Sequence, residues 1–177
     1  SMISIGTVTN LDQELDLNHG LSYRVNVRAI DLVDNTSAEV SSDGVTIDTL
    51  DPVFMFLNEA EQGDPDYQGS DSSVALFWDG SDDLSGIMSY EVALGSSLGA
   101  SDLVTWTDVG IDLTTDLIGL TLEDGSVYYG SVRTSDLAGN TAELNGNGVI
   151  VDTTPPEIGL VLDGLESDSE YQSTEGI

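Results

Sequence analysis

Residues 20–36, GLSYRVNVRAIDLVDNT, align without gaps with residues 125–141, GSVYYGSVRTSDLAGNT. After a one-residue gap, residues 43–52, DGVTIDTLDP, align with residues 147–156, NGVIVDTTPP. The two matches share a spacing of about 104 residues, which is close to the length of a single β-sandwich domain. This internal repeat predicts one kind of domain that recurs along the chain.

The repeat also predicts the domain boundaries. Residues 51–154 form one complete copy, and residues 1–50 correspond to the C-terminal half of a preceding copy. Residues 155–177 correspond to the N-terminal strand or strands of a following copy, because DSEYQS at 168–173 repeats DPDYQG at 64–69. We therefore expect the chain to be a segment of a longer tandem array.

The charge of the chain excludes several classes of function. Its 177 residues include 33 acidic residues and three basic ones, all arginine, for a net charge of −30. So acidic a chain cannot neutralise the phosphates of a nucleic acid or bind an anionic membrane surface. No apolar run approaches the roughly 20 residues of a membrane-spanning helix. The absence of cysteine excludes disulfides, zinc–thiolate sites and thiol nucleophiles.

Short apolar segments of the complete copy predict β-strands. Val74, Leu76 and Trp78 lie on one face of such a segment, because side chains alternate between the two sides of a strand. Clusters of Gly, Asp and Ser separate the segments, and none has the 3.6-residue period of a helix. The pattern predicts an all-β fold, an antiparallel seven-stranded β-sandwich, with strands at residues 53–57, 73–78, 89–94, 103–109, 115–122, 127–135 and 148–152.

The motifs of the complete copy resemble the fibronectin type III domain and its bacterial extracellular relatives. A Trp ends the second strand, an Ile-x-x-Tyr-x-Val motif follows it, and Leu-x-x-Gly-x-x-Tyr and Asp-x-x-Gly-Asn motifs flank the sixth strand. The closing Asp-Thr-Thr-Pro-Pro resembles the linker of bacterial tandem arrays. The residues that carry the resemblance are Trp78; Ile87, Tyr90 and Val92; Leu122, Gly125 and Tyr128; Asp136, Gly139 and Asn140; and residues 152–156.

The resemblance implies the positions of two aromatic side chains. Trp78 is expected between the two sheets as the largest residue of the core. Tyr128 is expected to bury its ring and to hydrogen-bond the backbone through its hydroxyl at the corner before the sixth strand. The partial copy departs from the pattern at Asp34, where the complete copy has Gly139.

The chain offers little that could support catalysis. His19 is the single histidine, it falls in a predicted turn of the partial copy, and Asp124 takes its place in the complete copy. Acid–base catalysis by carboxylates needs one carboxyl group with a raised pKa in an apolar pocket, and the sequence predicts no such pocket. We predict that the protein is not an enzyme, and an enzymatic role would require His19 to be buried in a pocket beside an acid.

Calcium is the metal ion that the sequence favours, because Ca²⁺ is bound by carboxylate, amide and carbonyl oxygens. The acidic loop at 79–83 is not an EF-hand loop, since Leu84 stands where that loop has Gly and Tyr90 where it has Glu. In a fibronectin-type sandwich, the loops after the second and sixth strands meet at the end where the chain enters. The predicted calcium ligands there are Asp79, Asp82, Asp83, Asp136, Asn140, Asp48 and Asp51. The alternative is that they are solvated turn residues, because Asp is frequent in turns.

Two functions agree with these expectations. The first is a non-catalytic spacer or adhesion module of a large secreted or cell-surface bacterial protein, rigidified by Ca²⁺ at the domain junctions. The second is an accessory module, with weak glycan affinity through Trp106, of an extracellular carbohydrate-active or proteolytic enzyme. The simpler interpretation of Trp106 is a half-buried residue at a sheet edge. Both functions place the chain outside the cell, with neighbouring repeats of the same polypeptide and a protein or glycan ligand as partners.

The partial copy has an apolar face without its expected cover. Its predicted strands are at residues 15–17, 23–30 and 45–47. Tyr23, Val25 and Val27 lie on the face that the strands of the first half of a sandwich would cover. Because an exposed apolar patch favours association, we expect head-to-tail self-association, with residues 157–177 of a neighbouring molecule bound to this face.

Overall fold

The computed structural model describes residues 14–60 and 63–159. The named regular elements within these two ranges are all β-strands. No helix in the described ranges is long and apolar enough to cross a membrane. In chain order the strands are β1 Ser22–Tyr23, β2 Asn26–Val27, β3 Val40–Ser41, β4 Val45–Thr46, β5 Val53–Glu59, β6 Tyr67–Gln68, β7 Ser73–Ser81, β8 Ile87–Gly95, β9 Val104–Gly110, β10 Thr114–Ile118, β11 Val127–Asp136, β12 Thr141–Asn145 and β13 Val149–Val151.

Two sheets form a sandwich within the complete copy. One sheet has the order β10-β7-β5, and the other has the order β6-β13-β11-β8-β9, with β12 also paired to β11. All of these pairs are antiparallel except β13 with β6. Seven strands result when β12 and β13 are counted as one interrupted strand and β6 as the continuation of β5. The predicted fold class, a fibronectin type III-like antiparallel β-sandwich, is confirmed.

Alternation along β7 and β11 builds the core between the two sheets. Val74, Leu76 and Trp78 of β7 are at most 2% exposed, and Val132 of β11 is fully buried. The Trp78 ring packs edge-on against Tyr90 of β8, with ring centroids 5.8 Å apart, an arrangement that the quadrupoles of aromatic rings favour. Trp78 therefore lies between the sheets, as predicted.

A tyrosine hydroxyl holds the turn before β11. Gly125 has a φ of 76°, a left-handed conformation that glycine adopts without steric cost. The turn places Tyr128, which is 7% exposed, so that its hydroxyl oxygen accepts a hydrogen bond of 2.9 Å from the N–H of Glu123. The buried ring and the backbone hydrogen bond predicted for Tyr128 are both confirmed.

Two details of the sandwich differ from the prediction. The strand predicted at 115–122 ends with β10, before Gly119, because Gly119 has a φ of 74° and turns the chain. Beyond this turn, the N–H groups of Leu120 and Leu122 donate to carbonyls of the loop before β7. In addition, β6 and β12 were not predicted, because β6 is only two residues long and β12 contains a single large apolar residue, Leu144.

The partial copy forms a hairpin with the same register as the last hairpin of the sandwich. Tyr23 pairs with Val45 across β1 and β4, as Tyr128 pairs with Val149 across β11 and β13. The hydroxyl of Tyr23 also accepts a hydrogen bond of 3.0 Å from the N–H of Asn18. Aligned residues of the two segments therefore have the same local structure.

Two strand predictions for the partial copy are wrong. Residues 15–17 form no strand, and neither do the aligned residues 120–122 of the complete copy. The strand predicted at 23–30 is present only as β1 and β2, and between them the N–H of Val25 donates to the hydroxyl of Ser42. The strand predicted at 45–47 is present as β4.

The corner hydrogen bond of Tyr128 is tested by Tyr128→Phe. This variant leaves the buried ring in place and removes the acceptor of the Glu123 N–H, so we expect a loss of about 1 kcal/mol in the free energy of unfolding. Urea denaturation measures it. Tyr67→Phe is the control, because Tyr67 is 59% exposed, and we expect a change below about 0.5 kcal/mol. Equal effects of the two changes would contradict the role given to the Tyr128 hydroxyl.

Candidate functional site

Three carboxylates from separate parts of the chain meet at the end of the sandwich where the chain enters. Asp48 lies in the linker before β5, Asp82 directly follows β7, and Asp136 is the last residue of β11. One oxygen from each lies within 4.8 Å of the other two. β7 of one sheet and β11 of the other both end here. The tertiary fold therefore brings together acids that are far apart in sequence.

Asp136 is fully buried and organises the loop that follows β11. Its Oδ1 accepts hydrogen bonds from the N–H groups of Ala138, Gly139 and Asn140 at 2.9, 2.6 and 2.8 Å. Its Oδ2 accepts one from Asn140 Nδ2 at 2.7 Å. Burial by itself raises the pKa of Asp136, but these bonds more than offset it and hold the pKa below its usual value. The buried carboxylate therefore stays ionised near neutral pH.

Asp48 joins the linker to the sandwich. Its side chain is 2% exposed; Oδ2 accepts a hydrogen bond of 2.9 Å from the N–H of Ser85, and Oδ1 accepts one of 3.2 Å from Leu50. Hydrogen bonding from Ser85 lowers the pKa of Asp48, although burial and the charge of Asp136 oppose the shift. A second ionised and nearly inaccessible carboxylate thus lies beside Asp136.

Asp82 has one carboxylate oxygen with hydrogen-bond partners and one without. Its Oδ2 accepts hydrogen bonds from the N–H groups of Gly86 at 2.7 Å and Leu84 at 3.1 Å. Its Oδ1 is buried and has no hydrogen-bond partner. A buried carboxylate oxygen without a donor is costly, and a cation would satisfy it. Asp82 forms a group of three carboxylates with Asp48 and Asp136, and carboxylate oxygens are ligands that Ca²⁺ prefers.

His19 lies at the edge of this carboxylate group. Its Nε2 is 3.2 Å from Asp83 Oδ2, and its Nδ1 accepts a hydrogen bond of 3.1 Å from the N–H of Thr49. Nδ1 also lies 3.4 Å from Asp48 Oδ1. The ring therefore joins the turn of the partial copy to the linker, and its nitrogens contact no hydroxyl nucleophile within the described ranges. These contacts position the linker.

The predicted calcium ligands divide into three groups. Asp48, Asp82 and Asp136 come together, and the Nδ2 of Asn140 faces the backbone carbonyl of Asp48 at 3.4 Å. Asp83 contacts His19 instead. Asp79 lies within β7 opposite Phe56, and Asp51 is exposed in the linker, so neither belongs to the carboxylate group. The hydrogen bonds of the linker to the N–H of Ser85 and to the ring of His19 were not predicted. Neither a backbone N–H nor a single histidine in a turn has a pattern in the sequence that indicates such a contact.

Trp106 is half-buried on the edge strand β9. The guanidinium of Arg133 lies over its ring, 4.4 Å from the centroid, and makes hydrogen bonds of 2.7 and 3.0 Å with the carboxylate of Glu91. One ring face is therefore covered by a cation that is itself paired. The glycan-binding alternative stays a prediction, and the face of the ring under Arg133 is not open to a sugar.

The buried carboxylates make the stability of the sandwich depend on pH. A carboxyl group with a lowered folded-state pKa stabilises the fold above its usual pKa, and this contribution is lost as the pH falls through the folded value. Asp136→Asn removes one such group, so in chelator the melting temperatures of wild type and variant should converge below about pH 4. Asp116→Asn, a change at an exposed position of β10, controls for the lost charge. A constant difference between wild type and Asp136→Asn would contradict the assignment.

No model of a known protein family matches the chain, and no curated protein matches it. Among solved structures, the chain is similar to the FN1–FN3 domains of chicken CNTN1, with a TM-score of 0.43 and 15% sequence identity. The similarity covers 76% of this chain and 46% of that chain, so the match spans less than half of the three-domain structure. The fold assignment is based on the strand topology described above.

Proposed function

We propose that the chain is a non-catalytic spacer or adhesion module of a large secreted or cell-surface bacterial protein, and that Ca²⁺ stiffens its domain junction. The observation that carries this proposal is the double attachment of the linker. On one side Thr49 is bonded to His19 of the partial copy, and on the other Asp48 is bonded to Ser85 of the sandwich. A linker held on both sides resists bending, which is what a spacer requires.

The linker after the sandwich has the same local contacts. Asp152 Oδ1 accepts a hydrogen bond of 3.1 Å from the N–H of Thr154, as Asp48 does from Leu50. Asp124, which aligns with His19, accepts a hydrogen bond of 2.6 Å from the N–H of Thr153. Two linkers built alike support a tandem array in which neighbouring repeats of the same polypeptide are the partners.

An extracellular location forms part of the proposal. The motifs that resemble bacterial surface arrays support it, in particular the Asp-Thr-Thr-Pro-Pro linker at 152–156. The net charge of −30 keeps such a module soluble, because like charges resist aggregation. It also makes the fold sensitive to ionic strength, since dissolved salt screens the repulsion between exposed carboxylates.

Calcium binding at the junction follows from the three carboxylates. Asp48 and Asp136 are almost inaccessible to water, and Asp82 Oδ1 has no donor. An ion bound there would join the linker to the ends of β7 and β11 and would offset three negative charges held close together. These features support Asp48, Asp82 and Asp136 as ligands, with coordination completed by water or carbonyl oxygen.

Calcium titration of chelator-treated protein tests the proposal. A ligand that binds only the folded state stabilises it, by about 2.7 kcal/mol at a concentration one hundred times the dissociation constant. We expect millimolar Ca²⁺ to raise the melting temperature of wild type and to have little effect on Asp82→Asn. Asp82 is the residue to change because its free Oδ1 makes no contact that the unbound fold needs.

The matched control is Asp116→Asn, which removes the same charge from the exposed face of β10 and should keep the full calcium response. Mg²⁺ at equal concentration separates specific binding from charge screening. An unchanged melting temperature of wild type at millimolar Ca²⁺ would rule out the calcium site. It would leave the spacer proposal, which depends on the double attachment of the linker.

Self-association of the chain is a further part of the proposal. Val27 and Val45 of the partial copy are each 57% exposed, whereas the aligned Val132 and Val149 are fully buried under the opposite sheet. We propose that residues 157–177 of a second molecule, of which 160–177 lie outside the described ranges, cover this apolar face in a head-to-tail contact. Exposed apolar surface of this kind favours such pairing.

Light scattering over a range of protein concentrations tests the contact. We expect the mean mass of wild type to rise with concentration and the rise to be smaller in Val27→Ser. Val53→Ser is the matched control, because Val53 is 59% exposed but belongs to the sandwich. A strictly monomeric wild type at high concentration would exclude self-association.

A further inference from the structure

Glu59 is a carboxylate buried inside the sandwich. It is the last residue of β5, and its exposed fraction is 0%. After Glu59 the chain leaves the β10-β7-β5 sheet and pairs, as β6, with β13 of the other sheet. Glu59 therefore marks the point at which the first strand crosses between the sheets.

The side chain of Glu59 bonds this crossing point to β11 and to the residue before β13. Its Oε1 accepts hydrogen bonds from the N–H of Gly130 on β11 at 3.0 Å and from that of Gly148, just before β13, at 3.1 Å. Its Oε2 is also buried and has no hydrogen-bond partner. Burial without a partner is costly for any polar atom and more so for a charged one. The ionised carboxylate is therefore only half satisfied.

The surroundings of Glu59 leave space for a carboxyl group and, within the described residues, hold one other charge. A Cβ on Gly146 would overlap the carboxylate, so the segment between β12 and β13 needs glycine here. Leu76, its register partner on β7, is uncharged. The charged group that faces Glu59 is Asp64, whose Oδ1 accepts the N–H of Glu59 at 3.3 Å. Burial raises the pKa of Glu59, the two glycine N–H bonds oppose the shift, and the charge of Asp64 adds to it.

In the partial copy, the N–H that corresponds to that of Gly130 is satisfied without a carboxylate. Val25, which aligns with Gly130, donates its N–H to Ser42 Oγ at 3.0 Å, and Ser42 aligns with Gly146. A neutral hydroxyl thus satisfies the N–H that Glu59 satisfies in the sandwich. Because closing the hairpin does not require a titratable group, Glu59 adds a dependence on protons.

We propose that Glu59 is a proton-operated latch, which holds β6 and the segment before β13 together when the carboxyl group is protonated and loosens them when the proton is lost. The latch comprises Glu59, the N–H groups of Gly130 and Gly148, and the pairing of β6 with β13. It does not depend on the calcium site, which lies among other residues at the entry end.

The direction of the effect follows from proton linkage. A carboxyl group with a raised folded-state pKa binds its proton more tightly in the folded state. Its contribution is fully present below the ordinary pKa of Glu and is lost as the pH rises through the raised folded value. Within that window, opening releases one proton, so the opening equilibrium constant rises by up to about tenfold per pH unit. Lowering the pH therefore stabilises the pairing of β6 with β13, whereas it destabilises the loop around Asp136.

The latch adjoins the exit linker. The N–H groups of Ile150 and Asp152 donate to the carbonyls of Asp66 and Gln68, both at 2.9 Å, and these bonds join β6 to β13. The pairing comprises only two residue pairs, so it depends on neighbouring contacts. Asp152 belongs to the linker at 152–156, so loosening of β6 changes how firmly that linker is held.

Amide hydrogen exchange of the full chain, measured by NMR between pH 5 and pH 8 and corrected for the intrinsic rate, tests the latch. We expect the protection of Gly148, Ile150 and Asp152 to fall as the pH rises, by up to about tenfold per pH unit within the window. Glu59→Gln is the neutral isostere, and the protection of these amides should not vary with pH in this variant. Glu143→Gln, at an exposed position of β12, is the matched control and should behave as wild type.

The titration of the Glu59 carboxyl carbon gives a second readout that does not require Glu59→Gln to fold. We expect a midpoint above the usual value of a glutamate in wild type, and a lower midpoint in Asp64→Asn, because that change removes the facing charge. A Glu59 midpoint at or below the usual value would overturn the proposal. So would protection in wild type that does not change with pH, or the same pH dependence in Glu59→Gln.

Discussion

The two sheets of the sandwich stack around Trp78, and this packing sets where the loops at either end come to lie. The indole lies between β7 and β8 with its ring against Tyr90, and the alternate residues of β7 continue the same buried row. Burial of large aromatic and aliphatic side chains supplies most of the free energy that holds such a sandwich together. Once the sheets are stacked, the loop after β7 and the loop after β11 must lie at the same end. The meeting of Asp82 and Asp136 is a consequence of the core.

The pKa values of the buried carboxyl groups are shifted in opposite directions at the two ends of the sandwich. At the entry end, N–H donors surround Asp136 and keep it ionised, and the fold presents its charge beside those of Asp48 and Asp82. At the crossing point after β5, burial and the facing charge of Asp64 raise the pKa of Glu59, and one of its oxygens has no hydrogen-bond donor. In a chain with a net charge of −30, the number of hydrogen bonds to a buried carboxylate thus affects whether its pKa is lowered or raised. The same chemical group is held in its charged form at one place and has its charged form disfavoured at another.

Much of the fold could be predicted because its signals are local. Alternation in β7 placed Trp78 in the core, and Leu-x-x-Gly-x-x-Tyr placed the hydroxyl of Tyr128 at its corner, since both depend on neighbours within a few residues. β6 could not be predicted, because two residues have no period and their pairing partner lies more than eighty positions away. The candidate site was predictable only in part. Asp48, Asp82 and Asp136 were named with four others, and sequence alone could not separate them.

Local sequence patterns were enough to identify the internal repeat, the β-sandwich class and the burial of Trp78 and Tyr128, because backbone geometry and side-chain alternation act over short distances. Tertiary structure alone decided which acids share one volume, that His19 joins the partial copy to the linker, and that Glu59 is buried with an unpaired oxygen. The physical reason is that burial and hydrogen bonding of a side chain depend on distant segments. The positions of those distant segments follow from how the sheets stack. A pattern of neighbouring residues in the sequence does not contain that information.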